Sequence, residues 1–217
     1  MHFVGSYFFL FLEDMVIEMK ERAICYFRLG EQYFETAKLL LETLINNKNS
    51  NAGIGNTAEE AQCEMEHNAL KSDLYLFIPA VFNCLQSTEL FVKGLLLLNG
   101  KTFEKKHSVE ELLEFLMGFY GVNSELYYSL RTYYDNQIDI IKNFMKTNHL
   151  TNSHDLYMSL RYPEITLKSS KYGGDLLVDY MDLMCNGDVG IKQFKLLLSN
   201  LYEVKEAILK VYNAGDV

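Results

Sequence analysis

Apolar positions recur at spacings of three and four over much of the chain. Between about Glu13 and Asn46, the residues Ala23, Tyr26, Phe27, Gly30, Phe34, Ala37, Leu41 and Leu44 fall on one face and predict a long amphipathic helix. It runs into the polar tract Asn46-Asn47-Lys48-Asn49-Ser50-Asn51. From there to about His67 large apolar residues are scarce, so the segment 46–67 reads as an exposed, mobile loop. A second helix is predicted over about Ser72 to Leu98, with Phe77, Val81, Leu85, Thr88, Val92, Leu95 and Leu96 as its stripe. Pro79 opens or kinks it, and Asn99-Gly100 stops it. Ser108-Val109-Glu110-Glu111 has the form of a capping box, with the Ser108 hydroxyl and the Glu111 carboxylate serving the first turn of a short third helix that ends near Gly118 to Gly121. Ser124 caps a fourth helix to about Lys146. An irregular stretch covers 148–174, and a last helix over about Gly190 to Tyr212 carries Phe194, Leu197, Leu201, Val204 and Ile208. Four long helices and a short one describe an all-α antiparallel bundle in one domain spanning 1–217.

Composition supports this reading. Leu (33 residues) outnumbers Val and Ile together (22), a balance that favours helix over strand. The net charge of −9 repels nucleic acid on average, so any such contact needs a local patch. Only four arginines occur: Arg22, Arg28, Arg131 and Arg161. The cysteines Cys25, Cys63, Cys84 and Cys185 are widely separated and form no Cys-x-x-Cys pair, so four buried, reduced thiols in a reducing compartment are expected. The apolar opening Phe8 to Leu12 is followed at once by Glu13 and Asp14 and lacks the basic flank of a signal peptide. Gln86, Glu89 and Lys93 interrupt the longest apolar run. A cytoplasmic protein with no membrane partner is expected.

Familiar catalytic patterns are weak or missing. Gly53-Ile54-Gly55-Asn56-Thr57-Ala58 matches a dinucleotide-binding glycine pattern, but an Asn-rich tract stands where the strand should be. His149 and His154 are five apart, off register for one helical face, and lack further ligands, so no metal or cofactor is expected. Tyr127, Tyr128, Tyr133 and Tyr134 are spaced to give one core ring and one boundary ring per turn.

A more specific signal lies in the second helix and its sequel. Gln86-Ser87-Thr88-Glu89-Leu90-Phe91-Val92-Lys93-Gly94 places Glu89 and Lys93 four apart beside apolar neighbours, where desolvation makes pairing obligatory. Gly100 and His107-Ser108-Val109-Glu110-Glu111 follow, with Tyr33-Phe34-Glu35-Thr36-Ala37 earlier and Arg161-Tyr162-Pro163-Glu164 later. This ordered set resembles the HEPN (higher-eukaryote and prokaryote nucleotide-binding) family. The resemblance implies an all-α bundle forming homodimers. It also implies nucleotide binding or RNA cleavage, and pairing with a nucleotidyltransferase-type partner in toxin–antitoxin or defence settings.

Catalytic members carry an Arg followed four to six residues later by His. Here Arg131 is followed at those offsets by Asp135, Asn136 and Gln137, and Arg161 by Ile165, Thr166 and Leu167, so no catalytic residue is carried over. The expectation is a non-catalytic HEPN-like bundle that dimerises and binds a nucleotide, RNA or protein partner. The alternatives are a divergent HEPN ribonuclease and a ligand-free interaction module. Candidate ligand residues are Arg161, Tyr162, Glu89, Lys93 and Gln86. Pro163 biases Tyr162 towards extended geometry, which would hold the Arg161 guanidinium at a fixed angle. His107, Ser108 and Glu111 are expected to seat the third helix.

Overall fold

The computed structural model describes residues 4–47, 54–71, 73–103, 108–135, 137–168, 172–184 and 187–214. The fold is all-α with one small hairpin. Helix α1 (Val4–Asn47) is followed by α2 (Ala58–Lys71), a 3-10 turn (Asp73–Leu76) and α3 (Phe77–Leu98). Then come α4 (Val109–Tyr120), α5 (Glu125–Asp135), α6 (Asp139–Thr147) and α7 (Ser153–Ser159). The hairpin β1 (Glu164–Leu167) and β2 (Gly174–Leu177) leads to α8 (Met181–Met184) and α9 (Gly187–Ala214).

The predicted stripe of α1 is its buried face: Ala23, Phe34, Ala37, Leu41 and Leu44 are all inaccessible and pack along α3. Close approach of these antiparallel helices depends on two glycines. A Cβ on Gly30 would lie 2.8 Å from the Phe91 ring, and one on Gly94 would lie 3.0 Å from the Phe27 ring. The Ser87 hydroxyl donates to the Gly30 carbonyl at 2.9 Å across the same seam. Helix α3 is surrounded by α1, α4, α8 and α9. The segment Leu74–Leu98 is long and apolar enough to cross a membrane, but 83% of its apolar window is buried inside the bundle. Pro79 lies in the first turn of α3, where its missing N–H costs nothing, so it opens the helix. Helix α9 closes the bundle through Phe194, Leu197, Leu201, Val204 and Ile208. Its Lys205 pairs with Glu31 of α1 at 2.5 Å.

Four expectations are corrected. The segment 46–67, read as loop, contains the start of α2 from Ala58. The Thr57 hydroxyl accepts from the Glu60 amide at 3.1 Å, and the Glu60 carboxylate accepts from the Asn56 amide at 2.8 Å, so a near-complete capping box overrides the polar composition. The fourth helix is two helices. The Gln137 side-chain amide donates to the Tyr133 carbonyl at 3.0 Å, ending α5, and Ile138 is extended ahead of α6. The stretch 148–174 holds α7, whose cap Asn152 accepts from the Asp155 amide at 2.9 Å, and the first strand of an antiparallel hairpin pairing Ile165 with Leu176. Cys25 and Cys63 are exposed while Cys84 is buried; Cys25 lies two residues, or about 200°, round α1 from buried Ala23. Cys185 lies outside the described residues.

Candidate functional site

Polar side chains in a core helix must be satisfied locally or left to a partner. On α3, Phe82, Gln86, Glu89 and Lys93 follow one another at spacings of four, three and four, a single stripe along the helix. Lys93 Nζ donates to Glu89 Oε1 at 2.6 Å, and the two residues are 6% and 2% exposed, so the pair is internal to the bundle. The Phe103 ring centroid lies 5.3 Å from Lys93 Nζ and covers that end. One turn before Glu89, the Gln86 side-chain oxygen is buried with no hydrogen-bond partner among the described residues.

Arg161 follows α7, next to its C-cap Leu160. Its Nη1 donates to the Tyr157 hydroxyl at 3.2 Å, and the guanidinium carbon stands 5.3 Å from the Tyr157 ring centroid and 5.1 Å from that of Tyr162. The turn beneath is firmly held. The amides of Arg161 and Tyr162 both donate to the Met158 carbonyl, and the Tyr180 hydroxyl donates to the carbonyls of Ser159 (2.6 Å) and Tyr162 (3.2 Å). Tyr157 packs on Phe82 of α3 at 5.4 Å, and Phe82 on Tyr33 of α1 at 6.5 Å. Burial pushes the Tyr157 phenol up; Arg161 opposes this, and Glu89 and Tyr33 add to it.

This aromatic row brings Arg161 and Tyr162 beside the α3 stripe. Arg161 and Tyr162 are exposed, Gln86 lies at the intermediate depth, and Glu89 and Lys93 form the buried pair behind it. Among the described residues no carboxylate pairs with Arg161.

Ser108 is extended, with φ −78° and ψ 108°, and its hydroxyl accepts from the Glu111 amide, giving α4 the expected cap. The carboxylate that the Ser108 hydroxyl reaches is Glu110, which also accepts from the Ser153 amide at 2.9 Å and the Ser153 hydroxyl at 2.5 Å. Burial pushes the Glu110 carboxyl up, but the Ser153 and Ser108 hydrogen bonds outweigh it and hold it below the ordinary carboxylate value. His107 lies outside the described residues.

The tyrosines of α5 divide into one core and one boundary ring only in the second pair; the first pair, Tyr127 and Tyr128, supplies no core ring. Tyr133 is buried, Tyr127 and Tyr134 are at intermediate depth and Tyr128 is exposed. Where catalytic family members would place a His after an Arg, Arg131 instead forms an ion pair with Asp135 at 2.6 Å. Among the described residues no three His, Cys, Asp or Glu side chains converge as a metal site would require.

Sequence reasoning missed Tyr157, Phe82 and Tyr180 as supports of Arg161. Only the four-residue spacing of Tyr157 and Arg161 was available as a signal, since the other two arrive from distant elements.

Comparison of the chain with protein families finds the HEPN domain over residues 56–178, more than half of its 217 residues. No curated protein and no solved structure matches it. The matched span contains Gln86, Glu89, Lys93, Arg161 and Tyr162, and leaves Tyr33 to Ala37 of α1 outside. The ordered motifs, the all-α bundle and this match agree, and the chain belongs to the HEPN family.

Proposed function

We propose that this protein is a HEPN-family binding module, without ribonuclease activity, whose ligand face is the Arg161 platform. One observation carries the reading: a guanidinium braced on two tyrosine rings, exposed, and unpaired with any described carboxylate. Such a group suits phosphate, because Arg presents a planar fork of donors whose orientation is already fixed. Tyr162, 42% exposed, offers an adjoining face for a base to stack on. Nucleotides or short RNA are therefore the proposed ligands, with Gln86 at the edge of the platform and the Glu89–Lys93 pair as its rigid backing.

Homodimerisation, a nucleotidyltransferase-type partner and a toxin–antitoxin or defence setting belong to the same proposal by family resemblance. The binding claim is tested by calorimetry with the common nucleotides and a mixed RNA pool. Submillimolar binding is expected, weakened about tenfold by Arg161→Lys, whose ammonium cannot lie across both rings. Absence of any binding would refute it and favour a ligand-free interaction module. That second reading has its own support in Ile17, Leu39 and Leu196, which expose apolar surface on α1 and α9.

A further inference from the structure

A cavity of ≈ 290 Å³ opens where α4, α5, α6 and α7 converge, and its lining includes none of Arg161, Tyr162, Tyr157 or Gln86. Its floor is apolar, formed by Leu85, Leu113, Met145 and Leu156, and Tyr134 supplies an aromatic wall. The size is at the lower end of small-molecule sites. Of the other charged groups lining it, Asp135 is paired with Arg131, and Lys142, like Glu110, is exposed.

Glu110 differs in how it is held. Its carboxylate is fixed by the Ser153 amide and the Ser108 and Ser153 hydroxyls, and among the described residues no cation pairs with it. Those hydrogen bonds favour the ionised form. An oriented carboxylate with no counter-ion among the described residues, beside an apolar floor and an aromatic wall, is complementary to a cation on an apolar body.

We propose that this cavity binds a small primary amine as its ammonium form, with the ammonium on Glu110 and the apolar body over Leu113, Met145 and Leu156. The probes are 2-phenylethylamine, with 2-phenylethanol and 3-phenylpropionate as neutral and anionic counterparts. Calorimetry should show saturable binding of the amine with about tenfold or greater preference over either counterpart, as expected of a charge-assisted hydrogen bond. In spectra of methyl-labelled methionine, the Met145 resonance should move with the amine. Glu110→Gln should remove the preference, and Arg161→Lys should leave it unchanged, which separates this site from the platform. Should Glu110→Gln fail to fold, Met145→Trp fills the floor while keeping the carboxylate and should abolish amine binding. Equal binding of the three probes, preference for the anion, no amine binding, or full amine affinity in a folded Glu110→Gln or Met145→Trp protein would each overturn the proposal.

Discussion

Replacing Glu89 by Ala removes the carboxylate and leaves the Lys93 ammonium with 8% of its side chain in contact with solvent. At 2.6 Å the attraction between the two charges is about 6 kcal/mol for an effective dielectric constant of about 20. Taking the two ions out of water costs several kcal/mol each, so the intact pair contributes little net stability. The balance changes when one partner is deleted, because the desolvation cost of Lys93 stays while the attraction is lost. Glu89→Ala is therefore expected to cost about 3 kcal/mol, in the range of broken buried pairs. Replacing both residues by apolar ones of similar volume, Glu89→Leu with Lys93→Met, should bring stability back to within about 1 kcal/mol of the parent. Urea unfolding followed by circular dichroism measures both, with the m-value confirming that the same surface is exposed. A single variant within about 0.5 kcal/mol of the parent, or a double variant less stable than the single one, would refute the reasoning.

Gly30→Ala and Gly118→Ala are the same substitution with opposite expected signs. The new methyl at Gly30 meets the buried Phe91 ring at 2.8 Å and should cost about 1–2 kcal/mol, whereas Gly118 has nothing within 4 Å and should gain about 0.5–1 kcal/mol of helix propensity; equal thermal shifts would contradict this. Burial pushes the Cys84 thiol up to about 12, so iodoacetamide should label Cys25 and Cys63 in the folded protein and Cys84 only after unfolding, as read by peptide mass mapping. The Glu110 carboxyl is held below its unfolded-state value, so its contribution is present above the ordinary carboxylate value and disappears as pH falls through the lowered one. Ser153→Ala should then be less stable by up to about 1 kcal/mol at pH 7, with the gap closing in acid; a gap independent of pH would show that Ser153 acts otherwise.

The long helices were legible because their apolar stripes meet partners at regular spacing, as Phe34, Leu41 and Leu44 do on α1 and Phe194, Leu201 and Ile208 on α9. Breaks were harder to read. Tyr134, Ile138 and Ile141 keep spacings of four and three across the interruption between α5 and α6, so periodicity alone carries the pattern straight through it. Helix α2 was hidden by its exposed polar side chains, although Thr57 and Glu60 carried a readable start signal. The Glu89–Lys93 pair was visible from spacing, but its depth depends on α3 being enclosed by its neighbours. The support of Arg161 required Phe82 and Tyr180 from distant parts of the chain, information that no local window contains.

The seam between α1 and α3 works as a two-pin key. Each helix contributes one ring and one notch three residues apart, Phe27 with Gly30 and Phe91 with Gly94, and each ring occupies the other helix's notch. Sliding by one turn, about 5.4 Å, would set a ring against side chains that offer no recess. The key reads alignment without help from the peptide that joins the two helices. A chain cut between Asn47 and Ile54 should thus yield two pieces that reassemble in a single register, and lengthening that connection should leave the pairing unaltered. The matched family span begins after α1, so a fragment restricted to it would lack one half of the key and leave the Phe91 ring without its notch.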